Sequence, residues 1–138
     1  MCLSIKLTQQ EYNKFKSLKY KELKAALFKK AKEDIITYKV VYKKSKGYFT
    51  PIYNYKLNIG NHVYQYGKKF GIRVAKYCHE VDIEEGLHSY TTLKKAKIRA
   101  WKSQTILKCK IPKGSLYLKD PRRDQIVSDN LIILEQVN

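Results

Sequence analysis

The densest chemical vocabulary in the chain lies in Cys78-His79-Glu80-Val81-Asp82-Ile83-Glu84-Glu85-Gly86-Leu87-His88. Thiol, imidazole and carboxylate are all groups that zinc accepts. Structural zinc sites, however, are built on paired ligands such as a repeated C-x₂-C, and no pairing recurs here. Cys78 and His79 are adjacent, so an extended chain points them to opposite faces. The segment reads as a strand end followed by an acidic, solvated turn, with no metal and no cofactor expected. Its carboxylates Glu80, Asp82, Glu84 and Glu85 offset nearby lysines or give a two-signed docking surface.

General acid–base chemistry needs two titratable groups held in one cleft. The histidines His62, His79 and His88 are scattered, and His88, just ahead of a helix start, is the best placed. With Tyr90 and Thr91 it could form a small polar site; the plainer reading is a buried or capping histidine. No G-x-S-x-G elbow, Walker-type loop or G-x-G-x-x-G is present. Gly67-Lys68-Lys69-Phe70-Gly71 lacks the Lys-Ser/Thr of a phosphate loop and reads as a basic turn. No catalytic residue is assigned. An enzyme reading reduces to an unrecognised transferase using His88, Tyr90 and Glu84 or Glu85, and a binding module is favoured over it.

Charge is the strongest signal. The 138 residues hold 29 Lys and Arg against 12 Asp and Glu, for a net charge of +17. Only Arg73, Arg99, Arg122 and Arg123 are arginine. Lysine over arginine, with much Tyr, Ile and Asn, fits an AT-rich coding sequence. That bias does not explain the shortage of acids, whose codons tolerate AT richness equally. So lopsided a field favours polyanions: nucleic acid first, an acidic protein or nucleoprotein complex second. The candidate contacts are Lys14, Lys21, Lys24, Lys29 and Lys32 on the first helix, Lys68, Lys69 and Arg73 in the basic turn region, and Arg122 and Arg123 in a polar loop. The bland alternative for the helix lysines is a solvated face. Tyr38, Tyr42, Tyr48, Tyr53, Tyr55, Tyr64, Tyr66 and Tyr77 interleave with lysines as stacking rings do in single-strand binders. Tyrosine is equally an ordinary strand residue, and no RNP or KH pattern accompanies it.

The elements behind these residues follow from periodicity. Thr8 and Glu11 form a capping box. Apolar residues at three- and four-residue spacing then predict a helix from about Gln9 to Lys32, bent or interrupted near Tyr20. Ile35–Tyr42, Tyr48–Leu57, His62–Tyr66, Arg73–Cys78, Gln104–Ile111, Ser115–Leu118, Gln125–Ser128 and Leu131–Leu134 read as strands, with Pro51 marking an edge. Thr92 caps a second helix, Leu93 to about Lys102. The fold class expected is α+β, a long N-terminal helix and one shorter helix beside a mostly antiparallel sheet, in a single domain over 1–138. Cys2, Cys78 and Cys109 are odd in number and widely spaced, so no disulfide framework is expected, and Cys109 reads as a buried, inert thiol. No apolar run approaches the roughly 20 residues of a membrane helix, and the start lacks a signal-peptide pattern, which places the protein in the cytosol.

Gly86-Leu87-His88-Ser89-Tyr90-Thr91-Thr92-Leu93-Lys94-Lys95-Ala96, then Ile111-Pro112-Lys113-Gly114-Ser115-Leu116-Tyr117, then Val127-Ser128-Asp129-Asn130-Leu131-Ile132-Ile133-Leu134, resembles small uncharacterised domains encoded by bacteriophages and prophages. The resemblance implies a viral or mobile-element origin and brings no activity with it. The strand followed by Pro-Lys-Gly is also similar to ADP-ribosyltransferase-like folds. That group's Glu-x-Glu and cofactor-binding strand are not evident, so its catalysis is not carried over.

The function expected is that of a basic phage-type accessory protein binding nucleic acid or a nucleoprotein complex, including a host defence nuclease that a virus must block. A virion structural or assembly protein is the alternative. The host cytoplasm, or the virion, is the expected location.

Overall fold

The computed structural model describes residues 3–45, 47–50, 56–60, 63–67, 69–75 and 79–137. Cys2, Pro51, Tyr53, Tyr55, His62, Lys68, Tyr77 and Cys78 lie outside the described residues. The chain begins as strand β1 (Leu3–Lys6) and enters helix α1 (Gln9–Phe15). Thr8 Oγ1 accepts the Glu11 N–H at 3.1 Å, and the Glu11 carboxylate accepts the Thr8 N–H at 2.9 Å. This closed capping box is what the sequence predicts.

The long helix expected over Gln9–Lys32 does not form. Helix α1 stops after 7 residues, and the Leu18 N–H turns back to the Phe15 carbonyl at 3.1 Å. Lys19 is extended, α2 (Tyr20–Leu27) follows, and Phe28 is extended again before the edge strand β2 (Lys29–Lys30). The reason is geometric. Phe15, Leu23 and Phe28 are buried in one cluster with Leu18 and Leu27 against it. In one straight helix Phe28 would point about 140° round the axis from both Phe15 and Leu23, and the three could not share a core. Breaking the rod twice brings them together. Lys29 and Lys30 then pair with Tyr117 and Leu116, so sheet pairing prevails over the helical preference of a Lys/Ala-rich segment.

A three-stranded antiparallel sheet carries the other side of that core, with β1 and β7 (Ile72–Ala75) flanking β8 (Glu80–Ile83). The solvated acidic turn expected after residue 78 is here a buried strand: Val81, Asp82 and Ile83 are all covered. Asp82 is tolerated because its carboxylate accepts the Ser4 hydroxyl at 2.7 Å and pairs with Arg73 at 2.8 Å. Both partners stand directly across from it in register. A charge so paired avoids most of the cost of burial.

The remaining strands form one ten-stranded sheet: β3 (Ile35–Lys44), β4 (Gly47–Phe49), β5 (Lys56–Leu57), β6 (Val63–Gln65), β9 (Leu87–Tyr90), β10 (Gln104–Ile111), β11 (Leu116–Asp120), β12 (Gln125–Ser128) and β13 (Asn130–Val137), with β2 at an edge. Its main path runs β2-β11-β12-β9-β3-β10-β13-β6, and β4 and β5 extend from β3. The spine is β3 against β10, in register from Ile35↔Ile111 to Tyr42↔Gln104. Helix α3 (Leu93–Arg99) lies on one face, where Leu93, Ala96 and Ala100 meet Tyr38, Val40, Tyr90 and Ile106.

The other face is closed by the sheet itself. Only Asp129 separates β12 from β13, yet the sheet path puts β9, β3 and β10 between them. In a flat sheet those strands would stand about 19 Å apart, at some 4.8 Å per neighbour. Two residue steps of chain span at most about 7 Å. The sheet must therefore curl, which places Val41, Leu107, Cys109, Ile111, Ile126, Leu131 and Ile133 in one interior cluster.

Asp129 clasps the curl. Its N–H donates to Leu116 O at 3.2 Å, and its carbonyl accepts the Tyr66 N–H at 2.7 Å. Its carboxylate accepts the Leu116 N–H and the Asn130 amide, each at 2.9 Å. Leu116 and Tyr66 belong to opposite ends of the sheet path. Asp129→Ala removes the acceptor of the Leu116 N–H and is expected to cost about 2 kcal/mol in urea unfolding, whereas Asp129→Asn keeps an acceptor and loses less. Equal midpoints for the parent and the alanine variant would count against the clasp. Among the described residues, no helix is long and apolar enough to cross a membrane.

Candidate polyanion-binding surface

The ten basic residues picked out from the sequence do not share one fate in the fold. Arg73 is taken up by Asp82 at 2.8 Å and Glu84 at 3.5 Å. Arg122 lies 3.5 Å from the Asp120 carboxylate and donates to the Ser4 carbonyl at 3.2 Å. These two hold the fold together. Lys14 is exposed on α1 and Arg123 in the turn between β11 and β12. Lys68 is outside the described residues.

Lys24 and Lys69 come together through Phe70 and Tyr20, with Lys21 one turn before Lys24 on α2 and Lys29 on the strand that follows. Tyr20, at the start of α2, accepts the Phe70 N–H at 2.8 Å and so ties the 69–70 segment to the helix. Lys69 Nζ then lies 5.3 Å from the Tyr20 ring centre, and Lys24 Nζ 5.9 Å from that of Phe70. Phe70 stacks on Phe28 at 4.2 Å, next to β2. Lys29 of β2 and Tyr117, Leu118 and Lys119 of β11 line a cavity of about 210 Å³. Lys32 follows, exposed. None of Lys21, Lys24, Lys29, Lys32, Lys69 or Lys119 forms an ion pair among the described residues.

Several of the acids are committed elsewhere in the fold. Glu11 caps α1, Asp34 accepts the Lys113 N–H, Asp120 the Arg122 N–H and Asp129 the Leu116 N–H. Asp82 is buried and pairs with the exposed Arg73. Four of the twelve carboxylates thus serve as backbone acceptors, and Asp82 and Glu84 are taken up by Arg73.

His88 and Tyr90 are both buried. They share a face of β9, but the His88 ring is wedged between two carbonyls, Nδ1 at 3.2 Å from Gly86 O and Nε2 at 3.1 Å from Ile83 O. Burial, and next the charge of Lys39, lower its pKa to about 4, against the pull of those carbonyls. Burial likewise raises the pKa of Tyr90, against the opposing effects of Arg99 and of a hydrogen bond with Gln125. Glu84 faces Arg73, and Glu85 accepts the Tyr66 hydroxyl at 3.1 Å. Cys109 is buried, and that burial pushes its thiol up to about 12, where it is inert. Among the described residues, no group of three or more His, Cys, Asp or Glu could hold a metal ion.

Several tyrosines expected as stacking rings serve the core. Tyr38, Tyr48 and Tyr64 pack on the buried clusters; Tyr48 also donates to Gln136 at 2.7 Å, and Tyr64 accepts the Asn58 N–H at 2.6 Å.

Two features escaped the sequence reading. Lys39 points inward with Thr37 and Val41, as strand alternation implies, and its ammonium donates to His88 O at 2.6 Å while burial lowers its pKa. The chain also holds no Asp or Glu from Gly86 to Lys119, a window that contains all of α3. No protein-family model matches the chain, and no curated protein or solved structure is similar to it.

Proposed function

We propose that the protein is a nucleic-acid-binding accessory protein that holds phosphates on the rim formed by α2, β2 and β11. The observation that carries this reading is the gathering of Lys21, Lys24, Lys29, Lys69 and Lys119 on contiguous elements without an ion pair among the described residues. Lys29 and Lys119 line a cavity together with Tyr117 and Leu118, an arrangement that suits a phosphate between two ammonium groups. Affinity from such contacts comes chiefly from counterion release and falls steeply with salt.

The test is fluorescence anisotropy of a labelled oligonucleotide across a salt series. The slope of log K against log salt should shrink by about 2 in the Lys29→Ala/Lys119→Ala variant, at roughly 0.9 for each phosphate no longer neutralised. Lys14→Ala should leave the slope unchanged. Binding insensitive to salt, or a double variant that binds as the parent does, would refute the rim.

A further inference from the structure

Helix α3 and the residues after it carry an outward face unlike the rest of the surface. Leu93, Ala96 and Ala100 turn inward onto the sheet. Lys94 and Ile98 stand on the outward side of α3, Ala100 is already extended so that Trp101 follows the helix end, and Lys97, Arg99 and Lys102 are exposed beside them. Ile98 is 66% exposed and Trp101 75%. Single exposed apolar residues are ordinary. A tryptophan this open, among cations and within a carboxylate-free stretch of sequence, is not.

The Trp101 backbone is held on both sides. Its N–H donates to Gln104 Oε1 at 2.9 Å, and the Gln104 N–H donates back to the Trp101 carbonyl at 2.9 Å. The Ala100 N–H closes the helix on Ala96 O at 2.9 Å. The backbone beneath the ring is therefore set by reciprocal hydrogen bonds and presents the indole outward.

We infer that this face is a stacking platform for single-stranded nucleic acid: an unpaired base lies on Trp101, the strand passes Ile98, and phosphates meet Lys97, Arg99 and Lys102. The inference rests on the nucleic-acid reading above and adds a preference for unpaired strands at a second place. Charge selects a polyanion, and the ring selects one with free π-faces. Bases in a duplex are stacked on one another and present no such face. A bilayer is the weaker fit, because stable interfacial anchoring needs a long apolar face or a second anchor, and this 7-residue helix offers one outward apolar side chain, Ile98, with Trp101 just past its end.

Trp101 is the only tryptophan in the chain, so its emission reports on this face alone. The full-length protein is titrated with an oligothymidylate of about ten nucleotides, with a duplex, and with vesicles containing phosphatidylserine, while labelled oligonucleotides report binding independently. Quenching by the oligothymidylate and not by the duplex is expected. Trp101→Ala should weaken single-strand affinity roughly tenfold, leave duplex affinity and its salt slope unchanged, and be largely rescued in Trp101→Phe. Oligothymidylate that binds without altering the emission would overturn the platform and leave the lysine rim standing. Failure of both oligonucleotides to bind would overturn both readings. A blue shift on vesicles without quenching by oligothymidylate would replace the nucleic acid with a lipid surface.

Discussion

Between pH 7 and pH 4 the protein is expected to lose about 3 kcal/mol of unfolding free energy through His88 alone. Folding lowers the pKa of this imidazole from 6.5 to about 4, chiefly by burial and next by the charge of Lys39. The unfolded chain therefore takes up a proton first as acid is added, and proton uptake favours unfolding. Above pH 6.5 the stabilisation is fully present; it is lost progressively as pH falls through the folded value near 4. Carboxylates elsewhere titrate in the same range, so the informative quantity is a difference. Urea unfolding of the parent and of His88→Gln, compared at several pH values, should show their stability gap shrinking by about 3 kcal/mol from pH 7 to pH 4. A gap that stays constant would mean that His88 does not titrate inside the fold.

The turn that presents His88 is the site of the second large effect. Gly86 has φ +151°, a conformation reserved for glycine, and a Cβ there would lie 2.4 Å from Val127 Cγ2 and 3.0 Å from Phe70 Cδ1. Backbone strain and overpacking act together, and Gly86→Ala is expected to destabilise by about 3–5 kcal/mol. Gly67 makes a natural control, with open space around its Cβ position and no positive φ. There alanine should be neutral or stabilise by up to about 1 kcal/mol by restricting the unfolded chain. Similar denaturant midpoints for the two variants would refute the argument.

What could be read in the sequence was local. The alternating, β-branched runs Ile35–Tyr42 and Gln104–Ile111 fold as the paired spine, Gln125–Ser128 is a strand as expected, and Thr8 and Thr92 cap the helices they were expected to cap. What could not be read depended on distant partners. Lys29 and Lys30 continue a helical pattern until Leu116 and Tyr117 are known to lie alongside. Asp82 looks solvated until Ser4 and Arg73 arrive from neighbouring strands. The candidate surface divides in the same way. A net charge of +17 was plain, but which cations remain available depends on where the acids are placed, and folding consumes Arg73 and Arg122 while leaving Lys29 and Lys119. The α3 face was accessible in principle, since the run without Asp or Glu around a lone tryptophan is visible in the letters alone.

The clasp at Asp129 also bears on time. It joins Leu116 to Tyr66, and the first sheet joins Leu3 to Ile83, so the pairings that complete the molecule each bridge a long stretch of chain. Such closures are entropically expensive before any of the interior is gained, and proteins dominated by them cross their folding barrier in milliseconds to seconds rather than microseconds. Until the curl shuts, the apolar side of each strand faces water. A net charge of +17 is expected to keep partly assembled chains apart while that slow step is completed.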